Sequence, residues 1–355
     1  MSPARSPRAG AAAGPLPLVL LHALPLDASM WEVTARGLRA AGHRVLSLDL
    51  PGFGAAPPAA GPPSLDAFAD HVARTLDRAG VHRAALAGCS LGGYVAMAFL
   101  RRHPDRVGAL ALLAARAATD TPEAAGQRLL FADRILDEAA RPGLVTATSP
   151  ALLGATTRAR RPGLLARVTE SALAARPESV AWAQRAVAAR PDSTATLRGA
   201  HIPAVVVHGE EDTLVSTPES RHACAALPQG RYASLPGVGH LAPLEAPETV
   251  RLLLTELVRR AGAAAGAKAG AEAGAKAAGP HAGRAGVAGP GAGTYRAAGE
   301  AGPGGGSYRT GVAGPGAGTY RARLTGPGGD AGRAGEAGPG RDAGRAAGAE
   351  GVWVW

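Results

Sequence analysis

Between Gly88 and Gly92 the chain places a single hydroxyl, in the run Gly88-Cys89-Ser90-Leu91-Gly92. An apolar stretch, Arg83 to Gly88, precedes it, and a stretch of helical period from Leu91 to His103 follows. A serine at a strand-to-helix join suits nucleophilic chemistry. Small neighbours at 88 and 92 permit a turn too tight for side chains, and the turn lifts the hydroxyl clear of the sheet. The helix that starts at Leu91 aims free N–H groups and its positive end at the same point. In a chain with 50 glycines the pattern alone is weak. Its place between a strand and a helix gives it weight.

A serine hydroxyl needs a base to act as a nucleophile. His240 stands in "LPGVGHLAPLEAPETV", after the last apolar run and before the closing helix, with Gly237 and Gly239 loosening the loop. His201, His208 and His222 compete, but they precede a strand, end one, or lie within a helical pattern. The base in turn needs a carboxylate to fix its tautomer. "VVVHGEEDTLVS" ends a strand and offers Glu210, Glu211 and Asp212, of which Asp212 is best placed, three residues beyond Gly209. In chain order the three candidates run Ser90, Asp212, His240. Two backbone amides should face the developing oxyanion. Leu91 follows the serine, and Leu24 lies in the loop after the first strand, "LLHALPLDASMW".

Certain elements must hold these groups in place. From Leu16 onward, short apolar runs alternate with helical stretches. Strands are expected at 16–23, 43–50, 83–88, 107–115, 202–209 and 230–237. Helices are expected at 29–42, 64–80, 91–103 and 216–227, with a closing helix from Glu245 to Arg260. Ser29 and Ser64 are candidate N-caps, and Gly42 and Gly80 are stop signals. Continuous apolar strands between helices imply a parallel sheet covered on both faces. Residues 116–200 break the alternation with helical patterns alone and read as an inserted cap, with Asp120 as the N-cap of its first helix. Leu129, Leu130, Phe131, Leu152, Leu153 and Trp182 are candidate lining for a small apolar substrate, with Phe131 and Trp182 foremost.

These motifs resemble the α/β-hydrolase superfamily across about residues 16–260. "LLHALPLDASMW" is similar to the family's HG-x-P-x-x-x-x-W segment, and "DLPGFGAAP" to its D-x-P-G-x-G-x-S loop. With the serine turn, "GEED" and "GVGH", five motifs stand in the family's order. The cap's opening, "RAATDTPEAAGQR", is similar to the 3-oxoadipate enol-lactonase and carboxylesterase branch. The resemblance implies an α/β-hydrolase fold and a Ser-His-Asp acyl-enzyme mechanism on an ester or lactone, without cofactor or metal. C–C bond hydrolysis and perhydrolysis by the same triad are alternatives. So are a cofactor-free oxygenase and a non-catalytic ligand-binding protein on the same scaffold. A dehalogenase would want an aspartate at position 90. Two departures stand out. Ala23 replaces the family's glycine after the oxyanion-loop histidine, where a positive φ would strain alanine. Only some 15 residues precede the first strand, so six strands in the order 2-1-3-4-5-6 are expected rather than eight.

Composition bounds the rest. The 355 residues carry a net charge of +10, scattered along the body without a basic stripe, and aromatics make up 4%. A nucleic-acid partner is therefore not expected. Two cysteines, Cys89 and Cys224, make neither a disulfide framework nor a zinc site. The N-terminal segment has no apolar core for a secretory signal, and no apolar run is long enough for a membrane span. A cytoplasmic protein acting on a small molecule is expected, with its oligomeric state open. Residues 1–15 and 261–355 read as disordered. The latter hold 29 of the 50 glycines, almost no large aliphatics, and "GVAGPGAGTYRA" twice, at 286–297 and 311–322.

Overall fold

The computed structural model describes residues 15–277 and 323–325. Strand β1 (Leu18–Leu21) leads through a 3-10 turn at Ala28–Trp31 into α1 (Glu32–Ala40), followed by β2 (Val45–Leu48) and α2 (Leu65–Arg78). Then come β3 (Ala84–Cys89), α3 (Leu91–Arg102) and β4 (Val107–Leu113). The inserted cap consists of α4 (Pro122–Arg134), α5 (Arg141–Thr148), α6 (Ala155–Arg160), α7 (Pro162–Ala174), α8 (Pro177–Ala188) and α9 (Thr194–Arg198). The sheet resumes with β5 (Ala204–Gly209), α10 (Thr217–Ala226) and β6 (Gly230–Leu235). Helices α11 (Ala242–Glu245) and α12 (Pro247–Ala277) follow, and β7 (Arg323–Thr325) closes the described residues.

The sheet order is β2-β1-β3-β4-β5-β6-β7, and the first six strands are mutually parallel. This is the expected order. β7 is an addition: three residues pair antiparallel with β6, Leu324 opposite Ala233. Sequence reading missed it because three residues in a glycine-rich context carry no strand pattern.

Every residue of β3, β4 and β5 is buried, which is why these strands read as continuous apolar runs. α2 illustrates how a helix covers the sheet. Leu65, Phe68, Ala69, Val72, Ala73 and Leu76 form its buried stripe. Complete burial of a side chain such as Phe68 or Leu76 contributes roughly 1.5–3 kcal/mol. The Ser64 hydroxyl accepts from the Asp66 amide at 3.1 Å and starts the helix, and Gly80 at φ +63° ends it.

Three expectations need correction. Ser29 does not cap α1: it lies in the 3-10 turn, where its amide donates to Asp27 at 2.8 Å. Asp120 does not cap α4. Thr121 does, accepting from the Ala124 amide at 3.2 Å, while Asp120 turns inward to arginines. The closing helix runs to Ala277 rather than Arg260, because alanine propensity across "AGAAAGAKAGAEAGAKA" outweighs the interspersed glycines. By its contacts the chain divides into Met1–Ala264 with Tyr320–Trp355, and Ala265–Thr319. The described part of the latter is helical through Ala277. The "GVAGPGAGTYRA" repeats, the terminal "GVWVW" and residues 1–14 lie outside the described residues.

Candidate active site

β3 delivers Ser90, the residue between strand and helix. Its backbone stands at φ 49° and ψ −111°, a region that L side chains avoid. Such a conformation costs of order 1–3 kcal/mol and persists only where its surroundings enforce it. Here they do. The Ser90 amide donates to Leu113 of the adjacent strand at 2.9 Å. The Ser90 carbonyl accepts from Gly93 at 2.9 Å and Tyr94 at 3.1 Å, opening α3. A Cβ on Gly88 would fall onto the Gly92 carbonyl, and one on Gly92 onto the Leu21 carbonyl of β1. The glycines are thus required by backbone approach.

His240 follows β6. Its Nδ1–H donates to Asp212, 2.9 Å from Oδ2 and 3.1 Å from Oδ1. Both side chains are withdrawn from solvent, at 3% and 0% exposure. Asp212 Oδ1 also accepts from the Leu214 amide at 2.8 Å and the Val215 amide at 3.1 Å. Burial opposes ionisation of Asp212, but the His240 charge and hydrogen bond and these two amides outweigh it, so the carboxyl lies below its ordinary range. The neighbouring acids are committed elsewhere: Glu210 accepts from the Ser234 hydroxyl at 2.8 Å, and Glu211 accepts from the Thr156 amide and hydroxyl. Two of the rival histidines are likewise engaged. His208 pairs with the Thr217 and Ser220 hydroxyls, and His222 with Thr194.

The His240 carbonyl lies 3.6 Å from Cys89 Sγ, which brings the base loop against the residue before Ser90. Among the described residues no protein group hydrogen-bonds Ser90 Oγ or His240 Nε2. Cys89 is no rival nucleophile. It is fully buried, and burial together with the negative charges of Asp212 and Glu245 pushes its thiol well above the ordinary value.

The loop after β1 carries Leu24, the other amide expected to face an oxyanion. Leu24 N–H and Leu91 N–H donate to no protein acceptor among the described residues. Ala23 is not in a positive-φ conformation, so the alanine is unstrained there. Its amide instead points at Met30 Sδ, 3.1 Å away. The Leu24–Pro25 bond is cis. His22, to which sequence reading gave no role, organises this loop. Its Nδ1–H donates to the Ala23 carbonyl at 3.0 Å, and Nε2 accepts from the Leu50 amide at 3.0 Å. Burial keeps this imidazole below its ordinary pKa and hence neutral, as the Nε2 acceptor role requires. Asp49 ties the same loop to the next, accepting from Ala28 and Ala55 at 2.9 Å each.

The cap residues fall differently from expectation. Leu129 and Leu130 point outward, 45% and 52% exposed, because the inward face of α4 is Arg128, Phe131 and Ala132. Phe131, Leu152 and Leu153 are buried. Trp182 is engaged with α2 and the loop before it: its indole N–H donates to Gly61 at 3.1 Å, and its ring meets Phe68 edge-on at 4.9 Å. Among the described residues no group of three or more His, Cys, Asp or Glu side chains could hold a metal ion, and no helix is long and apolar enough to cross a membrane.

A serine held at positive φ between a strand and a helix, with a hydrogen-bonded aspartate and histidine on the loops after β5 and β6, fits the alpha/beta hydrolase fold, whose family profile matches residues 17–247. The chain belongs to that family. It is 31% identical over 253 residues to a pimeloyl-[acyl-carrier protein] methyl ester esterase of Aromatoleum aromaticum, covering 68% of this chain and 98% of that protein. Another curated relative is longer, and the alignment spans 64% of it. Among solved structures, an esterase from Thermogutta terrifontis is 35% identical with a TM-score of 0.66, covering 69% of this chain and 90% of that one. The enol-lactonase of Burkholderia xenovorans is 26% identical with a TM-score of 0.63, covering 69% and 92%.

Proposed function

We propose that this chain is a serine hydrolase that cleaves a carboxylic ester or lactone through an acyl-enzyme on Ser90. The observation that carries the reading is a Ser90 backbone held at positive φ, next to the Cys89 that meets the His240 carbonyl, with His240 bound to buried Asp212 at 2.9 Å. Asp212 holds the His240 proton on Nδ1, which leaves Nε2 with the lone pair a general base needs. His240 takes the Ser90 proton as Oγ attacks the carbonyl carbon. Negative charge moves onto the carbonyl oxygen, toward the Leu24 amide of the loop after β1 and the Leu91 amide at the start of α3. His240 then gives its proton to the leaving alkoxide. In the second half it takes a proton from water, which attacks the ester bond to Ser90, and returns it to Oγ as the acid departs. The names of the similar proteins, two esterases and an enol-lactonase, support this substrate class.

A panel of 4-nitrophenyl esters of increasing acyl length, run beside five- and six-membered lactones, tests the proposal. An ester hydrolysed with a nitrophenolate burst stoichiometric with enzyme is the expected result. Absence of turnover and of burst on every member would overturn it.

A further inference from the structure

Glu245 lies five residues beyond His240, at the end of α11, and is buried at 1% exposure. Among the described residues its carboxylate has no cationic partner. It accepts three backbone amides instead. Oε2 takes Gly239 at 3.0 Å and Gly154 at 2.9 Å, and Oε1 takes Leu241 at 3.1 Å. Gly239 and Leu241 are the two neighbours of His240, and Gly154 is the cap residue that opens α6.

A second carboxylate mirrors this on the acid side. Glu211, adjacent to Asp212, accepts the amide and hydroxyl of Thr156 in the same cap corner. The Glu211 amide donates to Val238 at 2.8 Å, joining the acid loop to the base loop. Between them the backbones touch. A Cβ on Gly154 would lie 2.6 Å from Glu211 Oε2 and 2.9 Å from the Gly239 amide, and one on Gly239 would fall onto the Gly154 amide.

We propose that Glu245 is the positioning residue of His240, and that Glu245 and Glu211 together clasp cap residues 154–156 so that the acid–base pair is set only while this cap corner is docked. The inference rests on reading Ser90, His240 and Asp212 as the catalytic groups. Its physical basis is the freedom of the loop. Gly237 at φ +70° and Gly239 leave the segment before His240 with little stiffness of its own. Asp212 fixes the ring at Nδ1, and the amide bonds to Glu245 fix the backbone on both sides of it. A misplacement of about 1 Å at a reacting group costs on the order of 10²-fold in rate. A carboxylate is needed because both oxygens must accept. Glutamine would turn an NH₂ toward at least one of the three amides, donor against donor.

The test compares Glu245→Gln and Thr156→Val with wild type and Ser90→Ala on 4-nitrophenyl acetate. Rates are normalised to sites titrated by the nitrophenolate burst, so that unfolded protein does not count. Glu245→Gln is expected to lower kcat per site about 10–100-fold with KM within about 2-fold. The low-field NMR signal of the His240 Nδ1 proton should move or broaden. Thr156→Val, which removes one bond to Glu211, should lower kcat about 3–10-fold, and it decides the matter if Glu245→Gln does not fold. Wild-type kcat per site in the folded variants, with an unmoved Nδ1 proton, overturns the positioning role. If Ser90→Ala itself retains wild-type turnover, the parent reading has failed instead, so the two failures are distinct.

Discussion

At the scale of single residues, the site depends on Ser90 occupying a conformation that only its neighbours can enforce. Gly88 and Gly92 have no room for a methyl group, because carbonyls of Gly92 and Leu21 occupy the space. Gly92→Ala should therefore separate α3 from β1, cost more than the roughly 0.5–3 kcal/mol of an ordinary substitution, and abolish activity; urea denaturation followed by circular dichroism measures it. Asp212→Asn should leave the fold intact and lower kcat about 10³–10⁴-fold by releasing the His240 tautomer. The pH dependence follows from the direction of the Asp212 shift. Its folded pKa lies below the ordinary carboxylate value, so it is already ionised wherever an imidazole can act as a base. Asp212 should then add no second proton to the acid limb of kcat/KM; a slope of two would contradict its assignment. Ser90, Asp212 and His240 stood out as candidates in the sequence because each follows a strand in a short segment that contains glycine. Glu245 and His22 were harder to see. Both join their own loop to a distant one, Glu245 to Gly154 and His22 to Leu50, through backbone amides that leave no local pattern.

At the scale of elements, the cap is fastened by charge as well as by apolar packing. Asp120, with a side chain fully withdrawn from solvent, pairs with Arg190 at 2.7 Å through both oxygens and with Arg128 at 2.8 Å. Arg128 also donates to Gln184 of α8 at 2.9 Å, and the Arg190 guanidinium lies 4.3 Å from the Tyr94 ring centroid, one turn beyond Ser90. Burial raises the Asp120 pKa, but the two arginines outweigh it and hold it at about 2. A folded value depressed below the ordinary 3.8 means stability present above about pH 4 and lost as pH falls toward 2. Asp120→Ala removes the buried carboxylate that Arg128 and Arg190 share and should cost about 3–5 kcal/mol. Scanning calorimetry at pH 7 reads this; a change below about 1 kcal/mol would contradict the role given to the cluster. Sequence reading placed the cap helices correctly as a group, since helical period without strands marks 116–200. It misjudged Asp120, because aspartate before a proline-initiated helix is as compatible with an N-cap as with a buried ion pair, and Thr121 took the cap.

At the scale of the whole molecule, strand order and the loops that carry the site were legible because buried parallel strands must be continuous apolar runs separated by helices. The seventh strand was not, since Arg323–Thr325 borrows its register from β6 rather than from any pattern of its own. Helix α12 was legible only to the end of its apolar stripe. We propose that residues 15–277 contain all that folding and the reaction require. A chain ending at Ala277 should keep wild-type kcat/KM within about 2-fold and lose only the few tenths of a kcal/mol that edge pairs contribute. Failure of that chain to fold would make β7, or residues beyond it, part of the folding unit. The central claim, that Ser90 is the nucleophile activated by His240, is tested most directly by intact-protein mass after exposure to a fluorophosphonate. One adduct is expected on the wild type, mapped to the peptide containing Ser90, with slow labelling of His240→Ala and none on Ser90→Ala. Equal labelling of wild type and Ser90→Ala would contradict it.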